Sequence, residues 1–292
     1  MIQVRKAYRI AWGRHVLDLG QRTCIMGVIN VTPDSFSDGG RFLEPAAAVA
    51  RGEQLAEEGA DIIDVGGEST RPYSNPVPAE EEIRRVVPVI AALAARVAVP
   101  ISIDTTKSRV ARRALEAGAA LVNDISGLTV DPGIAGVAAE FRVPLVLMHM
   151  QGDPRTMQVA PHYDDLPGEI RAVLQAAAAA AERQGVPRSM LIADPGIGFG
   201  KAIDHNLRLI KGLAEFASLE MPLLVGPSRK SFIRRLVRHA GEEEIPPDRP
   251  DVETGTQAAV AAAVLNGAHM VRVHHVANTL ATVKVVDAVL NA

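Results

Sequence analysis

The sequence predicts a single (β/α)8 barrel, or TIM barrel, with an N-terminal β-hairpin that closes the bottom of the barrel. Two observations carry this prediction: eight short apolar runs alternate with helical stretches, and the 292-residue length is close to the ~250 residues of one such barrel. Strands that alternate with helices pair in parallel, because right-handed helical crossovers join parallel neighbours. A doubly wound open sheet is the alternative, but residues 27–30 (GVIN) are not the glycine-rich turn that usually follows its first strand.

Each of the eight predicted strands ends in, or just before, a polar or charged side chain. In chain order the strands are 24–29, 60–65, 99–103, 120–122, 143–148, 190–193, 222–225 and 270–273. The polar residues at or after their carboxyl ends are, in the same order, Asn30, Glu68, Asp104, Asn123, His149, Asp194, Lys230, and Arg272 with His274. Barrel enzymes carry their chemistry at the carboxyl ends of the strands, so this set is the predicted functional site.

Helical stretches separate the strands and show the expected charge pattern. Residues 79–96 open with three glutamates and carry arginines later, which matches the helix dipole, and 44–58 has an acidic start and stops at Gly59. Residues 169–184 are alanine-rich, and 254–266 have Ala or Val at so many positions that burial on most sides is expected. Before the first strand, 9–19 alternate around Gly13 as a hairpin. We therefore divide the chain into a hairpin extension, 1–22, and a barrel domain, 23–292.

Composition excludes several classes of partner. The net charge is −3 and only 3% of the residues are aromatic, so neither phosphate attraction nor base stacking favours a nucleic-acid partner. No apolar run reaches the ~20 residues that span a membrane, and the first twenty residues carry charges where a signal peptide is apolar. A cytoplasmic chain is expected. The single cysteine, Cys24, falls inside the first barrel strand and is expected to pack there.

Residues 196–201 (GIGFGK) look like a phosphate-binding loop but depart from it at both ends. Pro195 stands five positions before Gly200, where the motif needs glycine, and Ala202 replaces the Ser or Thr that would hold magnesium. A nucleotide-binding loop is therefore not predicted.

The polar strand ends sort into two chemical groups. Asp104, Asn123 and Asp194 suit a flat heterocycle with amino and ring N–H donors, because ionised carboxylates accept strong charge-assisted hydrogen bonds. The second group suits a phosphorylated leaving group with its magnesium ion, and it comprises Asn30, Lys230, Arg272 and His274. For Asp104 or Asp194 alone, capping of the next helix is the alternative. Asn, Asp and Ser after the first strand could likewise form a plain turn.

Eight motifs, in chain order, resemble the dihydropteroate synthase family of pterin-binding enzymes. They are GVINVTPDSFSDGG from Gly27, DIIDVGGESTRP from Asp61, ISIDT from Ile101, NDISG from Asn123, MHMQG from Met148, DPGIGFGK from Asp194, SRKSF from Ser228 and VRVH from Val271. The resemblance extends from the first predicted barrel strand to the last. It is specific because all eight motifs occur together, whereas any one of them alone is not.

The resemblance implies a transferase of folate biosynthesis. The expected reaction joins 6-hydroxymethyl-7,8-dihydropterin diphosphate to 4-aminobenzoate and gives 7,8-dihydropteroate and pyrophosphate. Mg²⁺ is the expected cofactor, the two small molecules are the expected partners, sulfonamides are the expected inhibitor class, and a homodimer is the expected assembly.

Roles follow from the resemblance residue by residue. The pterin-binding set is Asp104, Asn123, Ile125, Met148, Asp194 and Lys230. The diphosphate-binding set is Asn30, Arg272 and His274, with Asn30 as the metal ligand. The 4-aminobenzoate-binding set is Ser35, Phe36, Thr70, Arg71, Pro72, Phe199 and Ser231, and the catalytic set is Asp34, Arg71, Lys230, Arg272 and His274. His275 stands where the family commonly has Asp.

Two alternative functions stay open from the sequence. A methyltetrahydrofolate-dependent methyltransferase also grips a pterin with Asp and Asn, but the long first loop and the SRKSF segment at Ser228 argue against it. A non-catalytic pterin-binding paralogue is the second, and the presence of Asp34, Thr70, Arg71 and Lys230 argues against that one.

Overall fold

The computed structural model describes residues 5–32, 44–69, 76–152, 157 and 160–292. Ten strands occur in these residues: β1 Tyr8–Trp12, β2 His15–Leu19, β3 Cys24–Asn30, β4 Ile62–Gly66, β5 Ile101–Asp104, β6 Leu121–Asp124, β7 Leu145–Met148, β8 Leu191–Asp194, β9 Leu224–Val225 and β10 Met270–Val273. All eight predicted barrel strands are present, and most are buried on both faces, as parallel strands covered by helices are.

The eight strands β3 to β10 form one parallel sheet that curls into a barrel. β3 to β8 are neighbours in chain order, and β10 pairs with both β3 and β9. A single parallel bridge between Ala193 and Leu223 joins β8 to the chain just before β9, and the Ala193 N–H donates to the Pro222 carbonyl at 3.0 Å. The predicted (β/α)8 barrel is therefore confirmed.

Nine α-helices occur in the described residues: α1 Glu44–Glu57, α2 Ala79–Ala94, α3 Ser108–Glu116, α4 Gly133–Phe141, α5 Leu166–Arg183, α6 Ile203–Lys211, α7 Ser231–Val237, α8 Pro250–Leu265 and α9 Val276–Leu290. The prediction that 254–266 is buried on most sides is wrong. α8 buries one stripe, Val252, Thr256, Val260 and Ala263 with Val264, and leaves its other faces partly exposed. Alanine on every face hides the stripe, because Ala tolerates both exposure and burial.

The hairpin β1–β2 lies across the amino ends of the barrel strands. Ile10, Trp12, Leu17 and Leu19 are buried in the barrel core. The indole Nε1 of Trp12 donates to the carbonyl of Ala120, directly before β6, at 2.6 Å. The hairpin thus closes the bottom of the barrel as predicted, and the opposite end carries the loops that lead from strands into helices. None of the described helices is long and apolar enough to cross a membrane.

Candidate functional site

Polar side chains from five strand ends meet at the top of the barrel. The pairing register sets Asp104 of β5 beside Gly66 of β4 and beside Asn123 of β6. Asp104, Asn123 and Asp194 are all buried, although each belongs to a different strand. The structure therefore brings together the three side chains that the sequence predicts for a flat heterocycle.

Arg272 of β10 forms ion pairs with two carboxylates, those of Asp64 and Asp104. Its Nε donates to Oδ2 of Asp64 at 2.7 Å, and its Nη2 donates to Oδ2 of Asp104 at 2.6 Å. The amide of Asn123 donates to the same Asp64 oxygen at 3.1 Å. Asp64 is fully buried in the middle of β4 and anchors both partners. A buried carboxylate is retained in a barrel core only with such charge-assisted partners.

The pKa of the Asp104 carboxyl lies near neutral pH. This pKa is raised to about 7, chiefly by burial and also by the Asp64 and Glu82 carboxylates, against the opposing charges of Arg272 and Lys230. Carboxylates with such perturbed pKa values concentrate at functional sites.

Asp194 and Lys230 act on each other electrostatically beside the ion pairs of Arg272, without forming an ion pair themselves in the structure. Asp194 is the last residue of β8, and its Oδ1 accepts the Gly196 N–H at 2.7 Å. Burial raises the pKa of Asp194 to about 6, against that N–H and the positive charge of Lys230. Burial and Arg272 lower the pKa of Lys230 to about 7, while Asp194 and Asp104 act the other way. Both charges therefore sit at the edge of ionisation near neutral pH.

Glycine makes room for Lys230. Gly198 has φ +84°, and a Cβ at that position would lie 2.8 Å from Cδ of Lys230. The lysine stem therefore crosses the loop that follows β8, and its Nζ lies 3.7 Å from the centroid of the Phe199 ring. A cation over an aromatic face is stabilised by the ring quadrupole, so Phe199 and Lys230 are held together on one wall.

A small apolar cluster adjoins the charged groups and is distinct from the barrel core. It consists of Ile125, Met148, Met157 and Phe199, with Met150 packed against it. Thioether and aromatic side chains provide polarizable flat contacts for a ring. Ile125, Met148 and Phe199 were predicted from the sequence, whereas Met157 was missed because its surroundings show no strand pattern.

The predicted diphosphate-binding residues face an open cavity of about 2080 Å³ at the top of the barrel. Asn30, Ser231, Arg272 and His274 all line it, together with Lys230. Ser228 holds the His274 ring, with Oγ and Nδ1 2.9 Å apart. This wall presents amide, hydroxyl, imidazole and guanidinium groups, a set that suits an anionic, phosphorylated group.

Six predicted site residues lie outside the described residues: Asp34, Ser35, Phe36, Thr70, Arg71 and Pro72. The sequence missed Asp64 and Ser228 as site residues. Asp64 could have been found, because an acidic residue within the apolar run 60–65 has no reason to be there unless it is paired. Within the part of the chain that the structure describes, no group of three or more His, Cys, Asp or Glu side chains could hold a metal ion.

Comparisons with known proteins agree with this geometry. The family described as pterin binding enzyme matches residues 26–274. A dihydropteroate synthase of Synechocystis is 46% identical over 276 residues, which are 94% of this chain and 93% of that protein. The Xanthomonas albilineans dihydropteroate synthase with 4-aminobenzoic acid superimposes with a TM-score of 0.88 at 44% identity, covering 98% of this chain and all of the other.

A second structure of the Xanthomonas albilineans enzyme contains 7,8-dihydropteroate. It matches with a TM-score of 0.81 at 44% identity, over 93% of this chain and 95% of the other.

Proposed function

The chain belongs to the pterin-binding enzyme family, and we propose that it condenses 6-hydroxymethyl-7,8-dihydropterin diphosphate with 4-aminobenzoate to give 7,8-dihydropteroate and pyrophosphate. The observation that carries the proposal is the group of three buried side chains, Asp104, Asn123 and Asp194, beside the half-buried Lys230 and a cluster of methionines with Phe199. The predicted class, a transferase of folate biosynthesis, is confirmed by relatives named dihydropteroate synthase.

The pterin ring fits the two kinds of surface in this site. Its amino and ring N–H groups are donors, and Asp104, Asp194 and the Asn123 carbonyl are acceptors. Lys230 and the Asn123 amide provide donors for the ring's carbonyl and nitrogen acceptors. The Met148 and Phe199 side chains then cover the ring faces. Hydrogen bonds from the bound pterin to Asp104 and Asp194 would favour the ionised form of both carboxylates.

The chemistry asks the protein to stabilise departing charge. The electron-rich dihydropterin delocalises the positive charge that develops at its exocyclic carbon as the C–O bond to diphosphate breaks. Arg272, His274 and Asn30 line the cavity wall that would receive the leaving group. The arylamine attacks as the neutral species and loses its proton afterwards, so the site needs no dedicated nucleophile or strong base.

Magnesium remains a proposal for this chain. Mg²⁺ is usually bound by one or two protein oxygens together with substrate phosphates and waters, rather than by a complete protein cage. The amide oxygen of Asn30, at the end of β3 and on the cavity wall, fits that donor set. When bound there, the ion would act as a Lewis acid on the diphosphate.

The proposed acceptor site combines Phe199 and Ser231 with five residues outside the described ranges: Ser35, Phe36, Thr70, Arg71 and Pro72. Ser231 begins α7 and lines the cavity directly after Lys230, so a 4-aminobenzoate carboxylate could lie against its hydroxyl while the amine faces the pterin. Binding of sulfonamides at the same place, assembly as a homodimer and location in the cytoplasm belong to the same proposal.

One assay tests the activity. The purified protein is given dihydropterin diphosphate, Mg²⁺ and 4-aminobenzoate, and each component is omitted in turn as a control. Pyrophosphate release is measured, and the product is identified by mass spectrometry. Release that needs both organic substrates, with dihydropteroate formed, supports the synthase. Pterin binding without any release would instead identify a non-catalytic paralogue. Methyl transfer from methyltetrahydrofolate would identify the methyltransferase alternative.

A further inference from the structure

In the segment 194–201, the backbone N–H groups of Gly196, Gly198 and Phe199 are bonded to other groups of the protein. Gly196 and Gly200 have φ of +73° and +60°, and a Cβ at either would lie 1.9 Å from the His149 carbonyl or 2.5 Å from the Gln151 carbonyl. The Gly196 N–H serves Asp194, and the Gly198 N–H donates to Oδ1 of Asn206 at 2.6 Å. The loop that looked like a phosphate-binding motif therefore has a different use, because these amides are already bonded.

Lys201, the last residue of that segment, points inward. Its side chain is 2% exposed, and its Nζ donates to the Phe199 carbonyl at 2.9 Å and lies 3.0 Å from Nδ1 of His149. Nζ also lies 5.9 Å from the centroid of the Tyr163 ring. A buried lysine is costly unless its donors are used, and none of these contacts involves an ionised carboxylate.

His149 connects Lys201 to the strand that carries Asp194. The His149 backbone N–H donates to the Asp194 carbonyl at 3.0 Å. Burial, and then the nearby Lys201 ammonium, lower the pKa of His149 to about 3, so its ring is a neutral acceptor at Nδ1. One ammonium thus fixes the exit of β7, the exit of β8 and the backbone of Phe199.

Lys201 is also an electrostatic partner of the pterin site. The groups that face it are Asp194 from β8, Lys230 from the loop before α7, His149 from the loop after β7, His205 from α6 and the Tyr163 ring. Asp194 in turn faces Lys230, Lys201 and Arg272. Burial lowers the pKa of Lys201 to about 7, and Asp194 opposes that change.

We propose that Lys201 is a positioning residue of the pterin site, which holds Phe199 in place from behind and, through His149, holds a positive charge beside the end of β8 that carries Asp194. The inference rests on the proposed function, because it assigns Lys201 to the binding of that pterin. Lys201 does not touch the substrate in this account; it acts through Phe199, His149 and Asp194.

The test compares Lys201→Met with Lys201→Arg and with Lys211→Met, which removes an exposed lysine from α6. Affinity for the unreactive 6-hydroxymethylpterin is measured from pH 5 to pH 9, roughly the range in which these groups titrate. Loss of a positive charge raises the pKa of a neighbouring carboxylate, so the rise of affinity with pH should move upward by about one pH unit in Lys201→Met, with about tenfold weaker binding on that limb. Lys201→Arg and Lys211→Met should keep the wild-type midpoint.

An unchanged midpoint in Lys201→Met, with affinity lowered equally at every pH, would overturn the proposal and leave Lys201 a packing residue. Should Lys201→Met fail to fold, Lys201→Gln replaces it, because the amide can still donate to the Phe199 carbonyl without carrying charge, and the same midpoint decides. If the wild type turns over normally and the pH midpoint of Lys201→Met does not shift, only the role of Lys201 is refuted and the proposed function stands. Absence of pterin binding and turnover in the wild type refutes the proposed function as well.

Discussion

The two ends of the barrel both bury polar and charged side chains, but they differ in how these groups are partnered. At the bottom, the His269 ring accepts the Leu223 N–H at Nδ1 and donates from Nε2 to the Lys6 carbonyl. At the top, burial moves the pKa of Asp104 to about 7, of Asp194 to about 6 and of Lys230 to about 7. The bottom uses polar groups to fix the fold, whereas the top keeps charges at a cost in stability that a ligand can offset.

The largest effect is expected at the top. Lys230→Ala should lower the rate of dihydropteroate formation by about 10³-fold and weaken pterin binding, because a buried donor to the ring is lost. The free energy of unfolding should stay within about 1 kcal/mol of the wild type, because relief of a buried ammonium offsets the lost packing. Steady-state kinetics and urea unfolding measure the two, with Lys211→Ala as the exposed control. Unchanged kinetics would remove Lys230 from the site.

The converse is expected at the bottom, where Asp287 joins the chain's start to its last helix. It accepts from Nη2 of Arg5 at 2.6 Å and from the N–H of Thr23 at 2.7 Å, and Arg5 is itself buried. Asp287→Ala should lower the free energy of unfolding by about 3 kcal/mol, because it leaves a buried guanidinium without its counter-charge. kcat/KM measured well below the melting temperature should not change. A stable variant with impaired turnover would contradict the division between the two ends.

The fold was predictable from the sequence because each barrel strand and four of the helices have a local sequence signal. β-branched runs ended in polar residues, and the structure contains all eight predicted strands. The limits of single elements were less accurate. α5 begins at Leu166, three residues before its predicted start, because Asp165 caps it by accepting the Gly168 N–H at 3.2 Å. That cap and Pro167 were visible in the sequence and could have corrected the boundary.

The site was predicted as a set of residues but not as a network. The family and the activity are confirmed by the comparisons. The structure also brings Asp104, Asn123 and Asp194 together, as the sequence predicted. The sequence could not predict that Arg272 pairs with Asp64 and Asp104, since these residues lie 208 and 168 positions away. Nor could it predict that Lys201 points inward, because that depends on the positive φ of the glycines before it. Pairing and direction are tertiary properties.

A pH experiment tests the bottom of the barrel. Burial lowers the pKa of His269 from 6.5 to about 4 in the folded protein. Between pH 4 and pH 6.5 the unfolded chain binds more protons at His269 than the folded protein does. The stability that the neutral His269 contributes is therefore fully present above pH 6.5 and is lost as the pH falls toward 4. Urea unfolding at pH 7 and pH 5 should show that His269 accounts for about 2 kcal/mol of the loss.

The control is His269→Gln, in which this contribution to the pH dependence should be absent while the loss due to other groups remains. If the variant and the wild type lose the same free energy between the two pH values, His269 is already protonated in the fold. In that case its hydrogen bond at Nδ1 would have to be assigned differently, and the bottom of the barrel would resemble the top in holding a buried charge.

The smallest effect is expected on the outer face of the hairpin β1–β2, which also lies at the bottom of the barrel. An ion pair there tests whether burial or position determines how much a charged group contributes to stability. Arg9 and Asp18 are direct cross-strand partners with Nη1 and Oδ1 2.9 Å apart, but their side chains are 67% and 65% exposed. Water screens such a pair and ordering two long side chains opposes it, so Arg9→Ala should change the free energy of unfolding by no more than about 0.5 kcal/mol. Urea unfolding at low and high salt measures it, with Asp18→Ala and the double variant completing a cycle. A coupling above about 1 kcal/mol would mean that position at the bottom, rather than exclusion from water, makes these ion pairs stabilising.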